Sequence, residues 1–283
     1  MTFIWGGTFA VVKIGMRDLS PILLIAVRFL IATALYAILF WRKIFPIRGA
    51  LVVKGTILGL FLFLGFVAQN IGLLYTTASK SAFITGMMVV FVPLLQYIIE
   101  RRAPKPGNIL GVVIVSTGLW FLTSPNGAAF NVGDALTVVC SILFGVYIVY
   151  LDVISREMTT LQLTFLQMAS TAVFSTVAVI LVEKPRWEPT FSLFASMLYL
   201  TLLATVLTTY VQTRFQKETT PTRAVIIFTL EPVIASFIAY VLLSEDMGVL
   251  GVLGGALIIA GVLLSEFSDA IPLLNRSLDN SES

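Results

Sequence analysis

A glutamate followed by a proline, Glu231-Pro232, stands near the middle of the apolar run from Thr222 to Leu243. The run has about 20 residues, enough to cross a bilayer core at roughly 1.5 Å per residue. Both residues are expensive there. A carboxylate at the bilayer centre costs on the order of 3 kcal/mol on insertion scales, and a proline withholds a backbone donor and strands the carbonyl of Phe228. Such a pair is tolerated where it faces protein or a wet cavity. Histidine is absent, so Glu231 is the midplane group able to exchange a proton near neutral pH. Two roles are open to it: a titrating group on a cavity wall, or a hydrogen-bond donor to a carbonyl freed by Pro232.

Further polar residues lie in other apolar runs. Thr201, Thr205, Thr208 and Gln212 are spaced four, three and four, which puts them on one helix face. That face either lines something polar or bonds to its own carbonyls and a neighbouring helix. Gln69 and Asn70 form a second pair of candidates for a pathway lining. Arg28 lies about seven residues into its run, perhaps 10 Å below the surface, where it snorkels, joins a structural pair or binds a carboxylate-bearing ligand. Trp5, Phe144, Tyr147 and Tyr210 could wall a ligand, or simply pack. Pro93 and Pro232 are expected to break their helices. The single cysteine, Cys140, has no partner for a disulfide or a Cys-rich metal site, so neither a metal nor a cofactor is expected.

The elements that must position these residues are helices in a membrane. Of the 283 residues, 58% are hydrophobic and 12% charged, and the mean hydropathy is +0.99, far from a soluble domain. The fold class expected is an all-α integral membrane protein of ten transmembrane helices, at roughly 1 to 15, 21 to 41, 55 to 76, 81 to 99, 107 to 124, 134 to 152, 160 to 182, 193 to 214, 222 to 243 and 248 to 265. The first is short for a bilayer, so either residues are missing before Met1 or the helix ends early and its flanks snorkel. The pI near 9.0 reflects Lys and Arg gathered in the gaps between runs, not a basic face, so no nucleic-acid partner is expected. Membrane lipid is the expected surrounding.

A shift of about 139 residues lays the start of the chain on its second half, placing Trp5-Gly6 on Phe144-Gly145 and Arg28 on Gln167. The shift then becomes 143, placing Gln69 on Gln212, Lys80 on Arg223, Gly111 on Gly254 and Gly118 on Gly261. The halves, 1–124 and 134–267, would each hold five helices, followed by a polar tail, 268–283. An odd helix count inverts the second half in the membrane, an arrangement found in many secondary transporters. With the N-terminus inside, twelve Lys and Arg fall on the cytoplasmic side and four on the other, placing both termini in the cytoplasm. The glycines four apart, Gly107 with Gly111 and Gly251 with Gly255, read as close-packed scaffold or the seam of a homodimer.

The chain resembles the drug/metabolite transporter superfamily in its ten-helix EamA branch. The resemblance rests on Trp5-Gly6-Gly7-Thr8-Phe9 with Lys13, Arg28-Phe29, the stretch from Tyr75-Thr76-Thr77-Ala78-Ser79 to Phe83, Gly133-Asp134, and the run from Arg223 through Leu230-Glu231-Pro232 to Ser244-Glu245, followed by Gly254 and Gly261. It departs from the branch where Met88-Val89 stands in the first-half register of Glu-Pro. The resemblance implies export or exchange of small metabolites, often amino acids, across a bacterial inner membrane through a central cavity. Efflux of cationic or aromatic drugs is the alternative cargo. A membrane enzyme or a channel or scaffold is the alternative class, though no Walker loop and no second midplane carboxylate is present.

Overall fold

The computed structural model describes residues 1–101, 103–123, 130–244 and 248–268. Pro125-Asn126-Gly127, Glu245 and the polar tail beyond Ser268 lie outside them. The described chain is helical: α1 Thr2–Gly15, α2 Pro21–Ile44, α3 Gly49–Leu73, α4 Ala78–Gly86, α5 Met88–Glu100, α6 Pro106–Thr123, α7 Val132–Ser155, α8 Thr160–Val182, α9 Phe191–Leu198, a π-helical segment Tyr199–Leu207, α10 Thr208–Gln216, α11 Pro221–Phe228, α12 Leu230–Leu243 and α13 Gly248–Ser268. Among the described residues eight helical spans are long and apolar enough to cross a membrane, and Thr2–Gly15 and Pro106–Phe121 are shorter apolar helices. The chain is a multi-pass membrane protein.

Local chemistry sets the helix starts. Pro21 and Pro221 open α2 and α11 at the position where a missing N–H is harmless. The side chains of Thr77, Asn131, Thr159, Thr190 and Thr220 each accept from the backbone N–H three residues on, capping α4, α7, α8, α9 and α11. Asp134 returns the favour to the Asn131 N–H, closing a capping box. The ends of α5 and α12 also match: Arg101 and Ser244, 143 residues apart, are both left-handed C-caps with φ 57°.

Two expectations about helix interiors are corrected. Pro93 does not break its helix, because α5 continues through it; the interruption is a turn at Met87, where the Met87 N–H bonds to Ile84 O at 3.1 Å. Pro232, by contrast, stands in the first turn of α12, and the N–H it lacks is the one that would reach Phe228 O, where α11 ends. The Thr229 N–H bonds to Val225 O and Ile226 O at 3.1 and 3.2 Å, so a tightened turn ends α11. The span expected as one plain helix from 193 to 214 is also interrupted, by the wide π turns of Tyr199–Leu207. There Thr205 Oγ1 donates to Leu200 O, five residues back, at 2.7 Å.

Packing joins elements far apart in sequence. α2 and α8 run antiparallel: Gln162 Nε2 at the start of α8 donates to Ile44 O at the end of α2 (3.0 Å), and Glu183 just beyond α8 accepts from Ser20 Oγ, Ile22 N and Leu23 N at 2.8–2.9 Å, capping the start of α2. α6 and α13 are also antiparallel, and glycines make the contact. A Cβ on Gly118 would meet Gly254 O at 2.7 Å, and one on Gly111 would meet Ser265 Cβ at 2.8 Å and Gly261 O at 3.3 Å. Gly111 and Gly118 on α6 thus lie close against Gly254, Gly261 and Ser265 on α13. The two broken spans cross at their breaks, with Gly86 against Pro232.

Candidate functional site

Between these helices lies a cavity with about 550 Å³ of atom-free space, part of it open to the outside. Its wall takes Trp5, Thr8 and Phe9 from α1, Arg28 from α2, Leu62, Phe66 and Gln69 from α3, Thr85 and Met88 from the broken span α4–α5, Phe144, Tyr147 and Ile148 from α7, Gln212 from α10, and Phe228 and Glu231 from the break between α11 and α12.

The wall is built in pairs. Trp5, Thr8 and Phe9 stand 139 residues before Phe144, Tyr147 and Ile148, and Gln69, Thr85 and Met88 stand 143 before Gln212, Phe228 and Glu231. Both charges fall where a pair is unlike: Glu231 matches Met88, and Arg28 matches Gln167.

Arg28 is 1% exposed, the largest fully buried side chain described. Its Nε donates to Thr205 Oγ1 (2.5 Å) and Nη2 to Ala204 O (2.8 Å), and its guanidinium carbon lies 4.8 Å from the centre of the Phe66 ring. It forms no ion pair among the described residues, where its bonded partners are neutral oxygens. Glu231 is 8% exposed on the same wall. Its carboxyl group bonds to no carbonyl near the break and pairs with no cation among the described residues. The cavity thus holds one cation and one carboxyl group that do not neutralise each other.

The remaining candidates form supports around this wall. Trp5 Nε1 donates to Thr208 Oγ1 at 3.0 Å, and the Trp5 ring meets Phe228 edge-on at 5.3 Å. Tyr147 Oη bonds to Gln167 Oε1 (2.7 Å) and Gln212 Oε1 (3.3 Å), and Gln167 Nε2 donates to Thr213 Oγ1 (2.8 Å). Gln167, Thr205 and Thr208 therefore sit behind the wall and hold it. Asn70 is turned to another task, donating from Nδ2 to Pro21 O at 3.1 Å. Tyr210 is 36% exposed and off the wall, because on α10 a residue two positions from both Thr208 and Gln212 lies on the opposite face.

Sequence reasoning missed Thr8, Phe9, Leu62, Phe66, Thr85, Met88, Ile148 and Phe228. The signal was available: Leu62, Phe66 and Gln69 lie on one helix stripe, and Thr8 and Phe9 complete the same i, i+3, i+4 set as Phe144, Tyr147 and Ile148. At the start of α4 a further polar group closes over buried Asp134, which accepts from Thr76 Oγ1 (2.8 Å) and pairs with Lys80 Nζ (2.7 Å), while Lys13 Nζ donates to Thr76 O (3.2 Å). None of these lines the cavity.

Comparison with known proteins places this arrangement. The model of the EamA-like transporter family matches residues 1–124 and 131–267. A protein of Archaeoglobus fulgidus named as an uncharacterized transporter is 31% identical over 265 residues, 93% of this chain and 82% of its own. The Bacillus subtilis uncharacterized transporter YoaV is 24% identical across 95% of this chain and 94% of its own. A crystal structure with 18% sequence identity superposes with a TM-score of 0.77, covering 97% of this chain and 95% of its own, which shows a shared fold.

Proposed function

This chain belongs to the EamA-like transporter family, and as a member of it we propose that it is a secondary transporter exporting or exchanging small carboxylate-bearing metabolites, amino acids first among them, by alternating access of the central cavity. The observation that carries the reading is Arg28: a guanidinium buried at the cavity wall with no carboxylate partner among the described residues. An uncompensated charge at this depth is expensive, and a cargo carboxylate supplies the missing partner. The free carboxyl group of Glu231 suits the ammonium end of an amino acid, or a coupling proton.

Alternating access needs two halves that can exchange roles. The antiparallel pairing of α2 with α8 and of α6 with α13, the reciprocal contacts Gly118 to Gly254 and Gly111 to Gly261, and the paired cavity wall all support an inverted repeat with its axis in the membrane plane. The Lys and Arg distribution supports both termini on the cytoplasmic side of a bacterial inner membrane. A second reading, efflux of aromatic cations, draws on Glu231 and the aromatic wall of Trp5, Phe66, Phe144 and Phe228. Counterflow into proteoliposomes tests both, using L-alanine, L-valine and L-serine against tetraphenylphosphonium and ethidium. Saturable counterflow of the amino acids, weakened in Arg28→Gln, is the expected result. Counterflow of the cations alone, insensitive to Arg28→Gln, would favour the second reading.

A further inference from the structure

The π-helical segment is placed where it can aim Arg28. A guanidinium has five N–H donors. Here Nε is taken by Thr205 Oγ1 and one Nη2 proton by Ala204 O at 2.8 Å, both from Tyr199–Leu207, and Nη1 makes no bond among the described residues. What remains toward the cavity is the end-on fork: both Nη1 protons and the second Nη2 proton. Two parallel N–H groups in that fork match the spacing of a carboxylate's oxygens.

Thr205 is suited to this by its register. Its hydroxyl has one proton, which is committed to Leu200 O at 2.7 Å, so only lone pairs are left to face Arg28. In an α-helix the same hydroxyl would reach back four residues, to Thr201. The π register sends it five back instead, to the Leu200 carbonyl. Thr205 is 0% exposed, and the Phe66 and Phe29 rings, 4.8 and 5.4 Å from the guanidinium carbon, flank the group.

The geometry points to Thr205 as a positioning residue that, with the Ala204 carbonyl, locks Arg28 so that its end-on fork faces a substrate carboxylate. This deepens the proposed function, since it rests on Arg28 as the carboxylate site. A substrate carboxylate then binds without first ordering the guanidinium, which lowers the cost of association. Because Thr205 does not reach the cavity wall itself, its effect on cargo passes through Arg28.

Solid-state NMR of 15N-arginine-labelled protein in bilayers reads the lock without any cargo. The Arg28 signals are identified by their loss in Arg28→Lys. Wild type should show separate Nη1 and Nη2 resonances, because rotation about the Cζ–Nε bond is arrested. Thr205→Val should merge them, and Thr205→Ser, which keeps the hydroxyl, should keep them apart. Merged signals in wild type, or separate ones in Thr205→Val, would overturn the positioning role. In L-valine counterflow, Thr205→Val should raise KM about tenfold, the scale of one charge-assisted hydrogen bond, with the maximal rate kept and KM restored in Thr205→Ser. An arrested guanidinium with an unchanged L-valine KM in Thr205→Val would overturn the link from lock to carboxylate. Absent L-valine counterflow in wild type that still shows the split signals would count against the transport reading and leave the lock standing.

Discussion

Glu231→Gln separates a titrating role from a packing one. The substitution keeps size and hydrogen-bonding capacity and removes the ionisable proton. At 8% exposed, on the cavity wall and without a bonded partner, the side chain has no described structural contact for the amide to lose, so the variant should insert and fold like the wild type. One carboxyl group binds one proton. If one proton is exchanged per cargo molecule, a gradient of one pH unit is worth about 1.4 kcal/mol, or about a tenfold accumulation ratio at steady state. Proteoliposomes loaded with a radiolabelled amino acid that the wild type carries, and held at a one-unit gradient, should approach that ratio with the wild-type protein. With Glu231→Gln the ratio should fall to one, while exchange of labelled for unlabelled cargo persists. Arg28 and Tyr147 face the same cavity and are unchanged in the variant, which makes it a clean comparison. An undiminished tenfold ratio in well-inserted Glu231→Gln protein would refute the reasoning and leave Glu231 a role in cargo orientation alone.

Other expectations follow from packing and topology. Gly65→Ala should raise cargo KM more than it lowers stability, because the new Cβ would stand 2.3 Å from the Phe144 ring and push it into the cavity; KM and thermal unfolding measured side by side check this. Gly118→Leu should destabilise by about 1–3 kcal/mol or more, since the obstruction is backbone, Gly254 O at 2.7 Å and Ile258 N at 2.8 Å, which cannot turn aside. The same change at Gly49, which has nothing within 4 Å, should be nearly silent. Glu183→Ala removes three bonds that cap α2 and should cost about 1–2 kcal/mol in thermal unfolding, with the cavity unaltered. Membrane-impermeant thiol reagents should label Arg17→Cys from outside intact cells and Glu218→Cys only after permeabilisation; the reverse pattern would overturn the proposed orientation.

Glu231, Gln69 and Gln212, singled out by residue type and spacing, lie on the cavity wall. Composition alone determined a multi-pass membrane protein, because in hydrocarbon every backbone group must be satisfied within its own segment and long apolar runs can only be helices. Proline and threonine at the run edges wrote the helix starts, since capping is settled by side chains within three residues of the end. What lay beyond the sequence were contacts between distant elements. Nothing local indicates that Tyr199–Leu207 winds as a π-helix, nor that Thr205 and Ala204 in it meet Arg28 from a helix more than 170 residues earlier. Asn70 and Tyr210 looked equal to their neighbours by type and spacing, but the packing of α3 on α2 and the outward face of α10 assigned them elsewhere. The broken helices were foreseen at prolines, whereas the interruptions fall at Met87 and Thr229, where the two spans cross with Gly86 against Pro232. Periodicity reports which side of a helix is buried; which neighbour buries it is decided only when the helices meet.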